Sequence, residues 1–402
     1  MLLKNNPLNP YINFLVALIA NMTGRNILAQ KLLSGVLKNI RFVLGNKFLL
    51  LKYIPWFGPE FYERFISLLR GLEPNNILWS ILHADILISR LDFTSAYNIY
   101  CGYLEKFARK FLDKTTYNML SIALVNMLIA GLIVKEKLTF PNQYEKIISC
   151  IDPELFQLAI EYAKCKPYLP TQKKIITYSG SLFFEPELWK LSISDGWLSI
   201  VEGALLYYFS TQLGTRWNLL EIGSFKGKST VFLARGLKDI RAKTKVYAVD
   251  PHEGIPYIYP YNTLNAFKAN LRRFRVHNYV RIFRMNSKEF FENFANEISN
   301  FGLVFFDGDH QYYWVKFEFE NAYDDMKTGS ILVFHDAHLE GPYSVIKKAL
   351  LDSLIGGLVM ANVAIAGFKQ FEQSALDYAF LLRARQIWMQ TASFSDEIFN
   401  IK

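Results

Sequence analysis

Leu219-Leu-Glu-Ile-Gly-Ser-Phe-Lys-Gly-Lys-Ser229 and Val246-Tyr-Ala-Val-Asp-Pro-His252 are each a short apolar run that ends abruptly in polar residues. Val304-Phe-Phe-Asp-Gly-Asp-His310 and Leu332-Val-Phe-His-Asp336 repeat the pattern. Such runs, apolar on both faces and too short for helices, read as strands buried in a parallel sheet. In open parallel sheets, ligands bind outside the carboxyl ends of the strands, so the four polar ends are expected on one rim.

Working outward, strands are expected at 217–222, 245–249, 280–285, 303–306 and 331–334, with two more near 358–368. Helical spacing fills the intervals, so a doubly wound, Rossmann-like α/β fold with a mainly parallel seven-stranded sheet follows. Ser199 and Glu202 have capping-box spacing and open a helix from Ile200 to about Thr211. Ser374 to Gln390 reads as a terminal helix.

Upstream, from about residue 10 to 170, the spacing is helical throughout. Phe93, Tyr97, Tyr100, Leu104, Phe107 and Phe111 recur at three- and four-residue steps, the stripe of a core-facing helix. Breaks at Pro55, Gly58-Pro59, 71–76 and 140–142 divide the region into several helices. A faint echo between 87–107 and 128–148, without shared landmarks, is the only sign of a helical repeat. The Pro-rich stretch 166–186 connects the halves. An all-helical domain over 1–185 and an α/β domain over 186–402 are therefore expected.

A chain of 402 residues that is 51% hydrophobic has ample material for such cores. Its net charge of +9 comes from Lys and Arg spread along the chain with no run of five, which disfavours a specific nucleic-acid role. The three cysteines, Cys101, Cys150 and Cys165, form neither an even disulfide framework nor a CxxC pair, which fits a reducing compartment. Residues 14–20 lack a cleavage site for secretion, so a cytoplasmic location is expected. Met119 to Val134 resembles a membrane span but is short and interrupted by Ser121 and Asn126, so a buried helix is expected over a membrane-surface one.

The glycines of Gly223-x-x-x-Gly227 let a ligand approach the backbone where a strand turns into a helix, and the helix amides can receive an anion. The interval is neither G-x-G-x-x-G nor a P-loop, which disfavours a nicotinamide enzyme and a nucleotide triphosphatase. Asp250, about thirty residues after Glu221, can accept hydrogen bonds from both hydroxyls of a ribose; capping the next turn is the plainer reading. Asp307, Asp309, His310, His335 and Asp336 bring carboxylates and imidazoles to the tips of adjacent strands, a donor set able to hold a divalent cation. His310 and His335 can accept a proton near neutral pH. Gly254 to Asn262, rich in Tyr and Pro, reads as an aromatic lip over the pocket.

With these motifs in order, the stretch from about 195 to 370 resembles the class I S-adenosylmethionine-dependent methyltransferases, especially the bacterial group that includes macrolide-sugar O-methyltransferases and cephalosporin-hydroxylase-like proteins. Nothing before 185 shares the likeness. It implies that Glu221, Gly223, Ser224 and Gly227 line the methionine part of S-adenosylmethionine, that Asp250 holds the ribose, and that Asn286 and Ser287 border the adenine. It implies a cation, Mg²⁺ or another divalent ion, on Asp307, His335 and Asp336, with Asp307 also against the cofactor. His335 departs from the group's pattern, since imidazole suits Mg²⁺ less well than carboxylate. The reading is O-methylation of a glycan, glycolipid or secondary metabolite, with His310, His335 and Asp307 as catalytic residues. In that reading the helical half binds the acceptor, a partner enzyme or a second copy; a methyltransferase-like scaffold that has lost catalysis, with the helical half as its working part, is the alternative.

Overall fold

The computed structural model describes residues 151–182, 185–214, 216–255, 258–294 and 300–386. It also describes stretches within 26–39, 59–73, 92–107, 114–134 and 144–149, and isolated positions between 14 and 87. By its contacts the chain forms two compact units, Met1–Ile86 and Leu87–Lys402. The first contains α1 (Asn26–Leu37) and α2 (Pro59–Leu72). In it Phe65, Ile66 and Leu69 are buried along one face of α2, and the Trp79 indole donates to Glu73 Oε2 at 2.6 Å.

The second unit opens with α3 (Phe93–Phe107), α4 (Lys114–Val134), α5 (Glu145–Ile148), α6 (Pro153–Ala163), α7 (Pro170–Leu182) and α8 (Pro186–Leu191). On α3 the expected stripe buries Tyr100 and Leu104 and half-buries Phe93 and Tyr97; Phe111 lies outside the described residues. Every position of α4 from 120 to 133 is buried, and its polar interruptions are satisfied. Ser121 Oγ donates to Gln386 Oε1 at 2.9 Å, and Asn126 Nδ2 to the Tyr100 hydroxyl at 3.1 Å. No helix among the described residues is long and apolar enough to cross a membrane.

The sheet follows, with α9 (Ile200–Leu213), β1 (Asn218–Ile222), α10 (Lys228–Asp239), β2 (Val246–Val249), α11 (Leu264–Arg273), β3 (Val280–Phe283) and α12 (Ser287–Asn293). The remainder is β4 (Phe301–Phe306), α13 (Tyr312–Asp325), β5 (Ile331–Phe334), α14 (Glu340–Leu351), β6 (Ile355–Ala361) and β7 (Ala364–Lys369), then helix over 375–386. Strand order is β3-β2-β1-β4-β5-β7-β6, parallel except that β7 runs antiparallel to β5 and β6. The seven expected strands are all present; β3 stops two residues earlier than expected and β4 starts two earlier.

Side chains alternate across a strand, and the two faces recruit different helices. Leu219, Val246, Leu303, Phe305 and Val333 pack with α9 and α10. Phe306 and Phe334 stack with ring centroids 4.7 Å apart, and Phe319 of α13 packs on Phe334 at 6.1 Å. The parallel strands are therefore covered on both faces, which is why they read as continuous apolar runs. The capping box forms as expected, with Ser199 and Glu202 each accepting a backbone N–H from the other.

Residue 185 marks where the chain's composition changes, whereas the contact division falls at 86 because α6 and α7 are tied to the sheet domain. Asp152 caps α6 and accepts from Lys347 Nζ at 2.7 Å and from the Tyr343 hydroxyl at 3.2 Å, both on α14. Gln172 of α7 donates to the Leu358 carbonyl of β6 at 2.8 Å and to Asp377.

Candidate active site

The ladder hydrogen bonds run one residue past the strands and place a glycine and three polar residues on one rim. Gly223 N donates to Val249 O at 2.9 Å, Asp250 N to Phe283 O at 3.0 Å, Asp307 N to Ile222 O at 2.9 Å and His335 N to Phe306 O at 3.0 Å. They open on a cavity of about 790 Å³, which also takes in Ser224, Lys228, Asn286, Ser287, His310 and Asp336. Three non-glycine residues around it, Phe225, His252 and Asp336, hold φ values of 45°, 57° and 47°. Left-handed backbone of this kind clusters where a site over-determines the chain.

Glu221 points toward α10 and is fully buried. The Thr230 hydroxyl donates to it, and the Ser229 and buried Ser224 hydroxyls lie against the same carboxyl. Burial raises the Glu221 carboxyl to about 7, against the hydroxyls of Ser229, Thr230 and Ser224. Of this group Ser224, beside the glycine turn, lines the cavity, with the Glu221 carboxyl behind it. Gly223, at φ +84°, has no room for a side chain.

The Asp250 carboxylate accepts Phe225 N–H at 2.7 Å through Oδ2 and His252 N–H at 2.6 Å through Oδ1. It therefore caps the turn, and each oxygen keeps lone-pair capacity toward the cavity. His252 is buried, with Nδ1 2.9 Å from Thr263 Oγ1 and its ring on Phe267, a structural role. Asn286 caps α12, accepting Glu289 N–H at 2.9 Å, while it lines the cavity with Ser287.

The chemical cluster has four members. His335 Nδ1 stands 3.0 Å from Asp307 Oδ1 and 3.3 Å from Asp336 Oδ2, and its Nε2 faces Glu202 Oε1 at 3.5 Å. His310 Nε2 stands 3.2 Å from Asp336 Oδ2 and 3.9 Å from Asp307 Oδ1. Burial alone would lower both imidazoles, but the facing carboxylates outweigh it, raising His310 to about 9 and His335 further. Burial would raise Asp336, and its histidine contacts hold it well below the usual carboxylate range instead. Ligand atoms of Asp307, His310 and Asp336 all lie within 4.8 Å of one another, a spacing that fits one divalent cation.

A family comparison matches this segment. Residues 220–337 match the family model described as a methyltransferase domain. The C-terminal half is similar to methyltransferases. A solved O-methyltransferase of Bacillus cereus, in complex with S-adenosylhomocysteine, is 17% identical, with a TM-score of 0.35 over 54% of this chain and 97% of its own. The O-methyltransferase TomG of Streptomyces achromogenes, involved in tomaymycin synthesis and in complex with S-adenosylmethionine, is 14% identical, with a TM-score of 0.34 over 54% and 98%. The calicheamicin methyltransferase CalS11 is 14% identical, with a TM-score of 0.35 over 59% and 95%. No curated protein matches. Similarities this low leave function to be read from the site itself.

In this methyltransferase-like domain the cavity mouth is aromatic. Trp197 packs on Phe225 at 5.3 Å and Phe225 on Tyr259 at 5.5 Å, and Lys226 Nζ lies 4.0 Å over the Tyr259 ring. The expected lip over Gly254 to Asn262 lies at this mouth, although residues 256 and 257 fall outside the described residues. Two carboxylates went unread in the sequence. Glu202 was seen only as a helix cap and also faces His335. Glu318, buried on α13, lines the cavity with Oε2 unpartnered. Its signal was visible in hindsight: a charged residue within the buried stripe Val315, Phe319, Ala322.

Proposed function

We propose that the domain binds S-adenosylmethionine in the 790 Å³ cavity and transfers its methyl group to a hydroxyl of a glycan, glycolipid or secondary metabolite. The observation that carries this reading is one continuous cavity. It joins the Gly223 turn, with the buried Ser224 beside it, to a carboxylate–imidazole cluster one strand away.

In this reading Glu221 Oε1 and Ser224 Oγ receive the ammonium of the methionine part. Asp250 accepts the ribose hydroxyls on the lone pairs its backbone donors leave. Asn286 and Ser287 border the adenine. Positioning the acceptor oxygen in line with the methyl carbon supplies most of the rate. The oxygen–carbon bond forms as the sulfur–carbon bond breaks, sulfur keeps that electron pair, and the hydroxyl proton leaves to an acceptor in the cluster.

His310 suits that role better than His335, because it lines the cavity with a side chain that is 35% exposed against 7%. His335 instead holds Asp307, Asp336 and Glu202 in register. A divalent cation on Asp307, His310 and Asp336, or with His335 in the place of His310, would acidify the acceptor hydroxyl when bound. Two carboxylates and an imidazole favour Mn²⁺ or a similar ion over Mg²⁺. His310 Nε2 cannot hold a cation and take the proton at once, so a chelator separates the two roles. The exposed faces of Trp197 and Ile258 at the mouth suit the apolar face of a sugar or ring.

Calorimetric titration of the purified chain with S-adenosylmethionine, with and without divalent cation, tests the reading, after a check that no cofactor copurified. Micromolar binding supports it and opens a screen of hydroxylated acceptors. Binding of NADH in its place would overturn it, and a folded, empty protein that binds neither would be a scaffold.

A further inference from the structure

Glu318 is a buried acid that methyl transfer, as described, does not use. It is 2% exposed and lies in the middle of α13, where a helix facing a sheet normally presents apolar residues. Its carboxyl lies under the rim: a Cβ on Gly308 would stand 3.3 Å from Glu318 Oε1. The Ser287 hydroxyl faces the same carboxyl, and Oε2 has no hydrogen-bond partner. Burying a carboxyl with an oxygen unpaired costs stability, so a group retained in this state is matched to a donor that arrives from outside.

We propose that Glu318 is a cofactor-specificity residue that recognises the 6-amino edge of the adenine, accepting a hydrogen bond from that amine through Oε2. This rests on the S-adenosylmethionine reading above and adds to Asn286 and Ser287 a residue that distinguishes adenine from purines lacking the amine. Burial raises the Glu318 carboxyl to about 7, so near neutral pH its protonated form also donates to the adjacent ring nitrogen N1.

The test is titration of the full chain with S-adenosylhomocysteine and with its analogue in which hydrogen replaces the 6-amino group. The wild type is expected to bind the adenine compound about tenfold or more tightly than the analogue, the scale of one buried hydrogen bond. Glu318→Gln, which keeps an acceptor, should retain the preference. Glu318→Ala and the space-filling Glu318→Leu should reduce it to within about twofold, with folding checked by thermal melt. A wild type without preference, or a preference that persists in either apolar variant, overturns the proposal. Equal loss of affinity for both compounds also overturns it, because that is what a purely structural role would give. Failure of the wild type to bind either compound defeats the cofactor reading itself, and this inference with it.

Discussion

Gly223 lies against the backbone of Asp307: a Cβ on Gly223 would stand 2.1 Å from the Asp307 carbonyl oxygen and 2.4 Å from its carbonyl carbon. The turn that faces the cofactor and the strand end that carries the chemistry are thus set at a spacing only glycine allows. Gly223→Ala must strain a φ of +84° and also push a backbone aside, so it should destabilise the domain by roughly 2 to 4 kcal/mol. Chemical denaturation measures this, and unchanged stability would mean that the two strand ends are farther apart.

Asp250→Ala removes the ribose acceptor and the cap on two backbone amides. Affinity for S-adenosylmethionine should fall by roughly 1.5 to 3 kcal/mol in calorimetry, the scale of hydrogen bonds to a charged group. Asp250→Asn, with one acceptor oxygen left, should fall between Asp250→Ala and the wild type. An unchanged affinity in the alanine variant would reject the ribose role.

Asp307→Ala takes one carboxylate from both histidines and from any bound cation. Turnover should drop on the order of 10³-fold, equivalent to several kcal/mol of lost charge stabilisation. If a cation serves in the reaction, a chelator should inhibit the wild type and added Mn²⁺ should restore it. Equal turnover with and without chelator assigns the proton to His310 alone.

His310 sits at about 9 because the carboxylates facing it, Asp307 and Asp336, favour its charged form more than burial opposes it. A raised imidazole pKa stabilises the fold fully below its unfolded value near 6.5, and that contribution disappears as pH rises through about 9. Thermal stability of metal-free protein should therefore fall between pH 7 and 10. If His310 is the base in that protein, kcat/KM should rise over the same range as the neutral imidazole forms. His310→Asn should flatten both profiles, and a wild-type rate profile without this rise would remove His310 as the base.

Glu202 closes the capping box through Oε2, while Oε1 accepts from Asn362 Nδ2 at 3.1 Å and from Val363 N at 3.2 Å and faces His335. Glu202→Gln keeps the shape and removes the charge. It should cost roughly 1 to 3 kcal/mol of stability, measurable by denaturation, because His335 loses a buried carboxylate. A neutral result would show that Asp307 and Asp336 hold His335 unaided.

Central strands such as Phe301–Phe306 announce themselves because they are buried on both faces, which calls for apolar side chains at nearly every position. Their polar ends stand out by contrast, so Asp250, Asp307 and His335 were legible, with the Gly223 turn, as one rim. The helix spacing and the Ser199–Glu202 cap were legible too, since both depend on residues three or four apart.

Other features depend on residues far apart in the chain. The pairing of His335 with Glu202, the joining of α6 and α7 to the sheet through Asp152 and Gln172, and the turning of Glu318 into the cavity each need two distant segments to meet. Local pattern records which face of an element is buried, but not what it is buried against. The sequence by itself determined the order of the strands along the chain and the chemistry at their tips, because periodicity and strand ends are local properties. Only the tertiary structure decided which charges face one another, because their pairing is set by how the layers pack.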